Sequence, residues 1–237
     1  SNIIQAIEPC KVLAPEILAI IPALEQFTVQ FGSRKGQLSF WVLLTDTGID
    51  VSVQGMDHQL EKDLGPLAQW SGSNGIARLS VGDEIICQHQ APQLTFGKVK
   101  VSTPPRAFTQ ATLQGEKALQ NAVGLALSGA DMVIDLFSGA GTLSLPLAGV
   151  AALHCMENDK GLLDALAHGV RHTQGIKSVV TSARDLYRNP VDHTDLTKFN
   201  AAIVDPPRAG AEQQVQQLAQ SNLCDIAMVS CNPVSFA

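Results

Sequence analysis

Apolar positions follow two regimes along the chain, and the regime changes near residue 103. Over residues 11–26 (KVLAPEILAIIPALEQ) they recur at helical spacing, and Pro15 suits a first helical turn. Residues 38–54 (LSFWVLLTDTGIDVSVQ) read as a hairpin. Two β-rich runs flank Thr45-Asp46-Thr47-Gly48, and the second alternates at Ile49, Val51 and Val53. Residues 57–70 read as a helix and 76–101 as further short strands, with turns at Gly82-Asp83 and Pro92. Residues 1–103 are expected to form a small α+β domain whose composition announces no chemistry.

After Thr103-Pro104-Pro105 a helix is expected over 114–128, and then apolar strands alternate with helices. The strands are 132–136 (MVIDL), 151–156 (AALHCM), 178–181 (SVVT), 200–205 (NAAIVD) and 225–230 (DIAMVS), with helices near 142–149, 160–172 and 211–221. This alternation predicts an α/β fold over residues 104–237, with a parallel sheet and helices on both faces. In such folds ligands bind at the carboxyl ends of the strands.

Composition narrows the class. The chain has 237 residues, 45% of them hydrophobic, enough for one large or two small cores. No apolar run approaches the roughly 18 residues of a membrane span, and no basic-then-apolar leader opens the sequence. The five cysteines (Cys10, Cys87, Cys155, Cys224, Cys231) are odd in number and form no CxxC pair, which points to a reducing cytoplasm. The net charge is −6, split evenly between residues 1–100 and 101–237. With no basic half, charge alone argues against a strong nucleic-acid binder.

Three stretches carry candidate chemistry. Asp135-Leu136-Phe137-Ser138-Gly139-Ala140-Gly141-Thr142 follows a strand; its glycines let a ligand approach the backbone. A dinucleotide fingerprint would need a third glycine where Ser144 stands. The D-x-F-x-G-x-G pattern resembles motif I of class I S-adenosylmethionine-dependent methyltransferases. By that resemblance Glu157, ending the second strand, would hold the ribose hydroxyls, and Asp185, after the third, would read the adenine amino group. Asp205-Pro206-Pro207-Arg208-Ala209-Gly210 ends the fourth strand; two prolines fix the backbone and remove two donors. Amino-group methyltransferases carry an aromatic after the prolines. Arg208 stands there instead and suits a phosphate or carbonyl partner. Ser230-Cys231-Asn232-Pro233 follows the fifth strand, where a thiolate could act as a nucleophile. Cys87, Cys155 and Cys224 read as small buried hydrophobes.

Together DLFSGAGT, Glu157, DPPRAG and VSCNP resemble the RNA uracil-C5 methyltransferases, which make 5-methyluridine in tRNA or ribosomal RNA. Phe108-Thr109-Gln110 resembles the family's F-x-Q segment, and IEPCKVLAPEI the run into its central domain. The resemblance spans essentially the whole chain. It implies a class I methyltransferase, Rossmann-like sheet with a small N-terminal α+β domain, S-adenosylmethionine as cofactor, and RNA as partner, ribosomal RNA ahead of tRNA. It implies no membrane and no obligate protein partner. Cys231 would be the nucleophile. Gln110, Asp135, Phe137, Gly139, Gly141, Thr142, Glu157, Asp185 and Asp205 would line the cofactor, and Asp205, Arg208 and Gln110 the substrate. Thr142 stands where the family commonly has Asn. Cys10 matches the fourth ligand of a [4Fe–4S] cluster whose other three cysteines are absent from the chain. The family's general base, a glutamate beyond the SCNP turn, and the last strands of its sheet would lie past residue 237.

Two other functions stay open at this level. Cytosine-C5 chemistry also uses a cysteine, but would place Pro-Cys after the fourth strand, where Pro206-Pro207 stands. A non-catalytic RNA scaffold that binds the cofactor fits the acidic balance but leaves Cys231 unexplained. A nicotinamide-dependent oxidoreductase fits neither the glycine spacing nor the DPPRAG loop.

Overall fold

The computed structural model describes residues 10–56 and 60–233. The chain divides into two compact units, Ser1–Gln93 and Leu94–Ala237.

The first unit is built on a four-stranded sheet of β1 (Ser39–Thr45), β2 (Gly48–Gln54), β3 (Ile76–Val81) and β4 (Glu84–Gln88), in that order. β1–β2 and β3–β4 are antiparallel, and β2–β3 are parallel. Helix α1 (Pro15–Phe31) precedes the sheet, and α2 (Leu60–Ser73) makes the crossover that a parallel pair requires. Val51, Val53, Leu79 and Val81 alternate onto one sheet face and bury against Ile20, Phe27, Leu67 and Trp70. Phe27 packs edge-on against Trp70 (4.9 Å) and Phe40 (5.6 Å). Phe31 also meets Phe27, at 4.6 Å, which explains why α1 runs one turn beyond the 11–26 pattern.

The alternate positions of β2 and β3 are polar yet equally buried. Arg78 grips Asp50 with two hydrogen bonds, Nε–Oδ1 at 2.9 Å and Nη2–Oδ2 at 2.5 Å. Ser80 donates to Ser52 at 2.7 Å.

The second unit opens with the hairpin β5 (Gln93–Phe96) and β6 (Val99–Ser102), followed by α3 (Leu113–Ala126). Thr112 caps α3 by accepting the Gly115 N–H at 3.1 Å. The sheet contains β7 (Met132–Leu136), β8 (Ala152–Glu157), β9 (Val179–Ala183), β10 (Ala201–Val204) and β11 (Asp225–Met228). Its order is β11-β10-β7-β8-β9, and every pairing is parallel. Val133, Leu153, Cys155, Ala201 and Ile203 face one core, with α3, α4 (Lys160–Arg171) and the hairpin. Ile134, Leu136, Met156, Ala202 and Val204 face a second core with Leu196 of α5 (His193–Leu196) and Leu218 of α6 (Glu212–Ala219). Burial on both sides explains why these strands read as unbroken apolar runs. The chain goes from β7 outward through β8 and β9, then returns to β10 on the other side. The strand order therefore reverses between β7 and β10.

Two expectations are adjusted. The helix read near 142–149 is a run of turns with one 3-10 turn at Leu145–Leu147, because Pro146 removes a donor and Gly149 follows. The composition change falls at 103/104, but the compact units divide at 93/94. Phe96, Val99 and Val101 of the hairpin are buried in the second unit's core. Among the described residues no helix is long and apolar enough to cross a membrane.

Candidate active site

The carboxyl ends of β7 to β11 carry all but one of the second unit's expected site residues. The turn after β7 is shaped by backbone that ordinary residues avoid: Phe137 has φ +65°, Gly139 +54° and Gly141 +84°. At Gly141 a Cβ would stand 2.7 Å from the Leu145 side chain and 2.9 Å from Leu166, so only glycine fits. At Gly139 a Cβ would meet nothing within 4 Å, so the backbone there borders open space.

Asp135 is 1% exposed, on the sheet face it shares with Cys155. Its Oδ2 has no hydrogen-bond partner among the described residues. Burial pushes its carboxyl up to about 7; the Ser144 hydroxyl pulls it back in part, and the charges of Asp205 and Glu157 add to the rise. Ser144, the residue that spoils the dinucleotide fingerprint, also lies 3.6 Å from Cys155 Sγ. Burial pushes the Cys155 thiol up, which suits an inert core residue. Beside Gly139, Ser138 is also buried and its Oγ has no partner among the described residues.

Glu157 ends β8 and faces the glycine turn. Its Oε2 accepts the Gly139 N–H at 2.9 Å, and its Oε1 accepts those of Asn158 and Asp159 at 2.7 and 2.8 Å. A carboxylate offers about four acceptor positions, so one is left for a ligand. Asp185, after β9, accepts the N–H groups of Tyr187 (3.1 Å) and Arg188 (3.2 Å) on Oδ1. Asp205 follows β10, its N–H bonded to the Leu136 carbonyl of β7 at 3.4 Å. Burial raises its carboxyl to about 6. Pro206 is buried, Arg208 is exposed, and a turn closes from Gly210 N–H to the Pro207 carbonyl at 2.8 Å.

Cys231 is an exposed free thiol in the turn after β11. Ser230 Oγ bonds both the carbonyl and the N–H of Asn232 at 3.1 Å, which shapes that turn. Because β10 and β11 are paired, Asp205 and Cys231 project from adjacent strand ends. Thr142 contributes backbone: its carbonyl accepts the Gln120 amide of α3 at 3.0 Å. Gln110 is half-buried in the stretch leading to α3. That stretch passes the start of α4, where Pro104 lies 3.6 Å from a Cβ placed on Gly161.

Cys10, in the first unit, is a free half-buried thiol, lowered by the N–H groups of Val12 and Leu13. Among the described residues no group of three or more His, Cys, Asp or Glu stands close enough to hold a metal ion. Cys87 is half-buried. Cys224 is exposed rather than buried, because it opens an edge strand whose Asp225 and Ile226 are exposed too.

Sequence reasoning passed over Ser138, Ser144 and Tyr187. Ser138 and Ser144 occupy positions that the glycine pattern leaves unassigned. Tyr187, the single tyrosine of the chain, lies two residues past an assigned acid and packs on Phe137 with ring centroids 5.4 Å apart.

No family model matches the chain. It is 39% identical over 236 residues to an uncharacterized RNA methyltransferase of Brucella suis, covering all of this chain and 57% of that protein. It is 27% identical to the 23S rRNA (uracil(1939)-C(5))-methyltransferase of Shewanella halifaxensis, covering 100% of this chain and 55% of the relative. The chain thus spans little more than half the length of these relatives. Its fold is similar to a Pyrococcus abyssi tRNA (uracil-54, C5)-methyltransferase solved with S-adenosyl-L-homocysteine. The TM-score is 0.75 at 19% identity, over 98% of this chain and 61% of the other. In sequence motifs, in relatives and in fold, this chain belongs to the RNA uracil-C5 methyltransferase family.

Proposed function

We propose that the full-length protein methylates C5 of a uridine in RNA, ribosomal RNA ahead of tRNA, through a covalent adduct between Cys231 and uracil C6. The observation that carries the reading is the convergence at one sheet edge. A glycine turn, a buried acid with an unused oxygen and Glu157 stand on one side of the strand-order reversal, with Asp205 and Cys231 on the other.

The residues fit S-adenosylmethionine. Asp135 Oδ2 is a buried acceptor and Ser138 Oγ a buried donor, each without a partner, and the amino-acid end of the cofactor carries both an ammonium and a carboxylate. Glu157 keeps one acceptor position for a ribose hydroxyl, and Gly139 leaves room for the close approach of a ligand. When bound, S-adenosylmethionine supplies a methyl group on a positively charged sulfur.

The chain's own residues carry the remaining chemistry. Uracil C5 is a weak nucleophile. Cys231, as thiolate, adds to C6, and the electron pair of the C5–C6 bond becomes available at C5 to take the methyl group. A base then removes the C5 proton, the C5–C6 double bond re-forms, and the thiolate leaves. The family resemblance assigns that base to a glutamate past residue 237. Asp205, on the neighbouring strand end, would hold the uracil edge, and Arg208 a phosphate or carbonyl. The uridine must leave its stack to reach Cys231. In the full-length protein Cys10 would serve as the fourth ligand of a [4Fe–4S] cluster, which iron analysis would check.

The test uses full-length protein, S-adenosylmethionine and RNA carrying 5-fluorouridine. Fluorine cannot leave C5 as a proton does, so a covalent complex should accumulate, with the mass of RNA plus one methyl group. That complex should be absent in Cys231→Ser. No complex on bulk ribosomal RNA or tRNA, with cofactor binding confirmed, would overturn uracil-C5 chemistry in favour of another base or a non-catalytic binder.

A further inference from the structure

The loop after β9 is bolted at both ends and presents one ring at its crown. At its start, Asp185 Oδ1 accepts the Tyr187 and Arg188 N–H groups, and the Asp185 carbonyl accepts that of Asn189 at 2.8 Å. At its end, Arg184 donates through Nε to the Asn189 carbonyl (2.6 Å). Its Nη2 donates to Asn189 Oδ1 (3.1 Å) and to the Pro190 carbonyl (2.6 Å). Leu186 is buried in the core below. Between these anchors Tyr187 is 43% exposed, and its ring meets Phe137 at an interplanar angle of 59°. Phe137 is held with φ +65°, a conformation that non-glycine residues rarely adopt and that clusters at functional sites.

β8 lies between β7 and β9, so this ring pair joins the loops on either side of the strand that ends in Glu157. A flat apolar surface near a carboxylate with one free acceptor position suits an aromatic ring carried on a hydroxylated sugar. Asp185 looks different in this setting. Both acceptor positions of its Oδ1 are taken by the backbone of the turn that holds Tyr187.

Resting on the S-adenosylmethionine reading, we infer that Tyr187, packed on Phe137, is the residue against which the cofactor's adenine ring lies, and that Asp185 and Arg184 are positioning residues that fix it. The loop is braced before any ligand arrives, so little ordering cost is left for binding.

Calorimetry on the full-length protein tests this with two probes that share only the adenosine part, S-adenosylhomocysteine and 5′-methylthioadenosine. Tyr187→Ala should weaken both by about tenfold or more, the scale of losing a base–aromatic contact. Tyr187→Phe should change either by less than about twofold, since the ring and not the hydroxyl makes the contact. Asp185→Ala should weaken both probes, and Asp185→Asn should restore most of the loss, because an asparagine oxygen caps a turn as well as an aspartate. If Tyr187→Ala lowers thermal stability, Tyr187→Leu makes the same comparison with apolar packing kept. Wild-type affinity in Tyr187→Ala and Tyr187→Leu overturns the assignment. An Asp185→Asn loss equal to Asp185→Ala overturns the positioning role. A wild-type protein that binds neither probe overturns the cofactor reading itself.

Discussion

Each compact unit buries a carboxylate, and the two are treated in opposite ways. Asp50 in the first unit is 2% exposed and takes a two-pronged grip from Arg78, itself 4% exposed. Asp135 in the second is 1% exposed and keeps an oxygen with no partner among the described residues. A buried charge is expensive unless it is paired and hydrogen-bonded. The first unit meets that cost inside the fold, by joining β2 to β3. The second leaves it standing at the edge where the strand order reverses and a ligand is expected. A satisfied buried acid is architecture; an unsatisfied one beside a glycine turn is a binding group.

The largest effect should come from giving Asp50 the condition of Asp135. Arg78→Leu removes the partner and leaves a buried charge uncompensated, which should cost about 3–5 kcal/mol. Urea unfolding of the full-length protein would measure it. Adding Asp50→Leu should recover most of the loss, because an apolar pair needs no compensation. If Arg78→Leu alone costs less than about 1 kcal/mol, Asp50 finds water or another donor, and the contrast with Asp135 narrows.

Asp135→Asn should act in the other direction. The carboxyl titrates at about 7 in the folded protein, against about 3.9 in an unfolded chain. Between these values the folded state holds a proton that the unfolded state has shed, so stability falls as pH rises from about 4 to about 7. Asparagine does not titrate. The variant should therefore gain on wild type in thermal midpoint between pH 5 and pH 8, while losing about 1–3 kcal/mol of cofactor affinity. A gap that stays constant across that range would mean that Asp135 is already charged at pH 5. Asp205, raised to about 6, titrates in an overlapping window in both proteins and cancels in the difference.

How much of this was legible in the sequence depends on distance along the chain. The strands of the second unit were readable almost to the residue, because burial on both faces makes them continuous apolar runs. Their order placed the site at one edge. The 142–149 stretch misled because its apolar spacing is helical, while Pro146 removes the donor a second turn needs. The hairpin went to the wrong side of the boundary because Phe96, Val99 and Val101 look the same whichever core they fill. The Arg78–Asp50 pair was invisible. Its members are 28 residues apart and meet only because α2 carries the chain across to a parallel partner. Tyr187 was missed for a related reason: its ring partner lies 50 positions earlier, after a strand two places away in the sheet.

The smallest effect is the most diagnostic in sign. Ser138 carries the second buried group of the glycine turn without a partner, a hydroxyl at a residue 7% exposed. In the free protein that hydroxyl has given up water and gained nothing, so Ser138→Ala should leave stability unchanged or raise it by up to about 1 kcal/mol. If the hydroxyl serves the cofactor, the same change should weaken S-adenosylhomocysteine binding by about 0.5–1.5 kcal/mol. Thermal midpoints with and without that ligand read both quantities, since a ligand that binds only the folded state raises the midpoint according to its affinity. A hydroxyl with a structural role would lower the midpoint in the free protein as well. Only a group held in reserve for a ligand moves the two in opposite directions, and this would extend to a neutral side chain the contrast between Asp50 and Asp135.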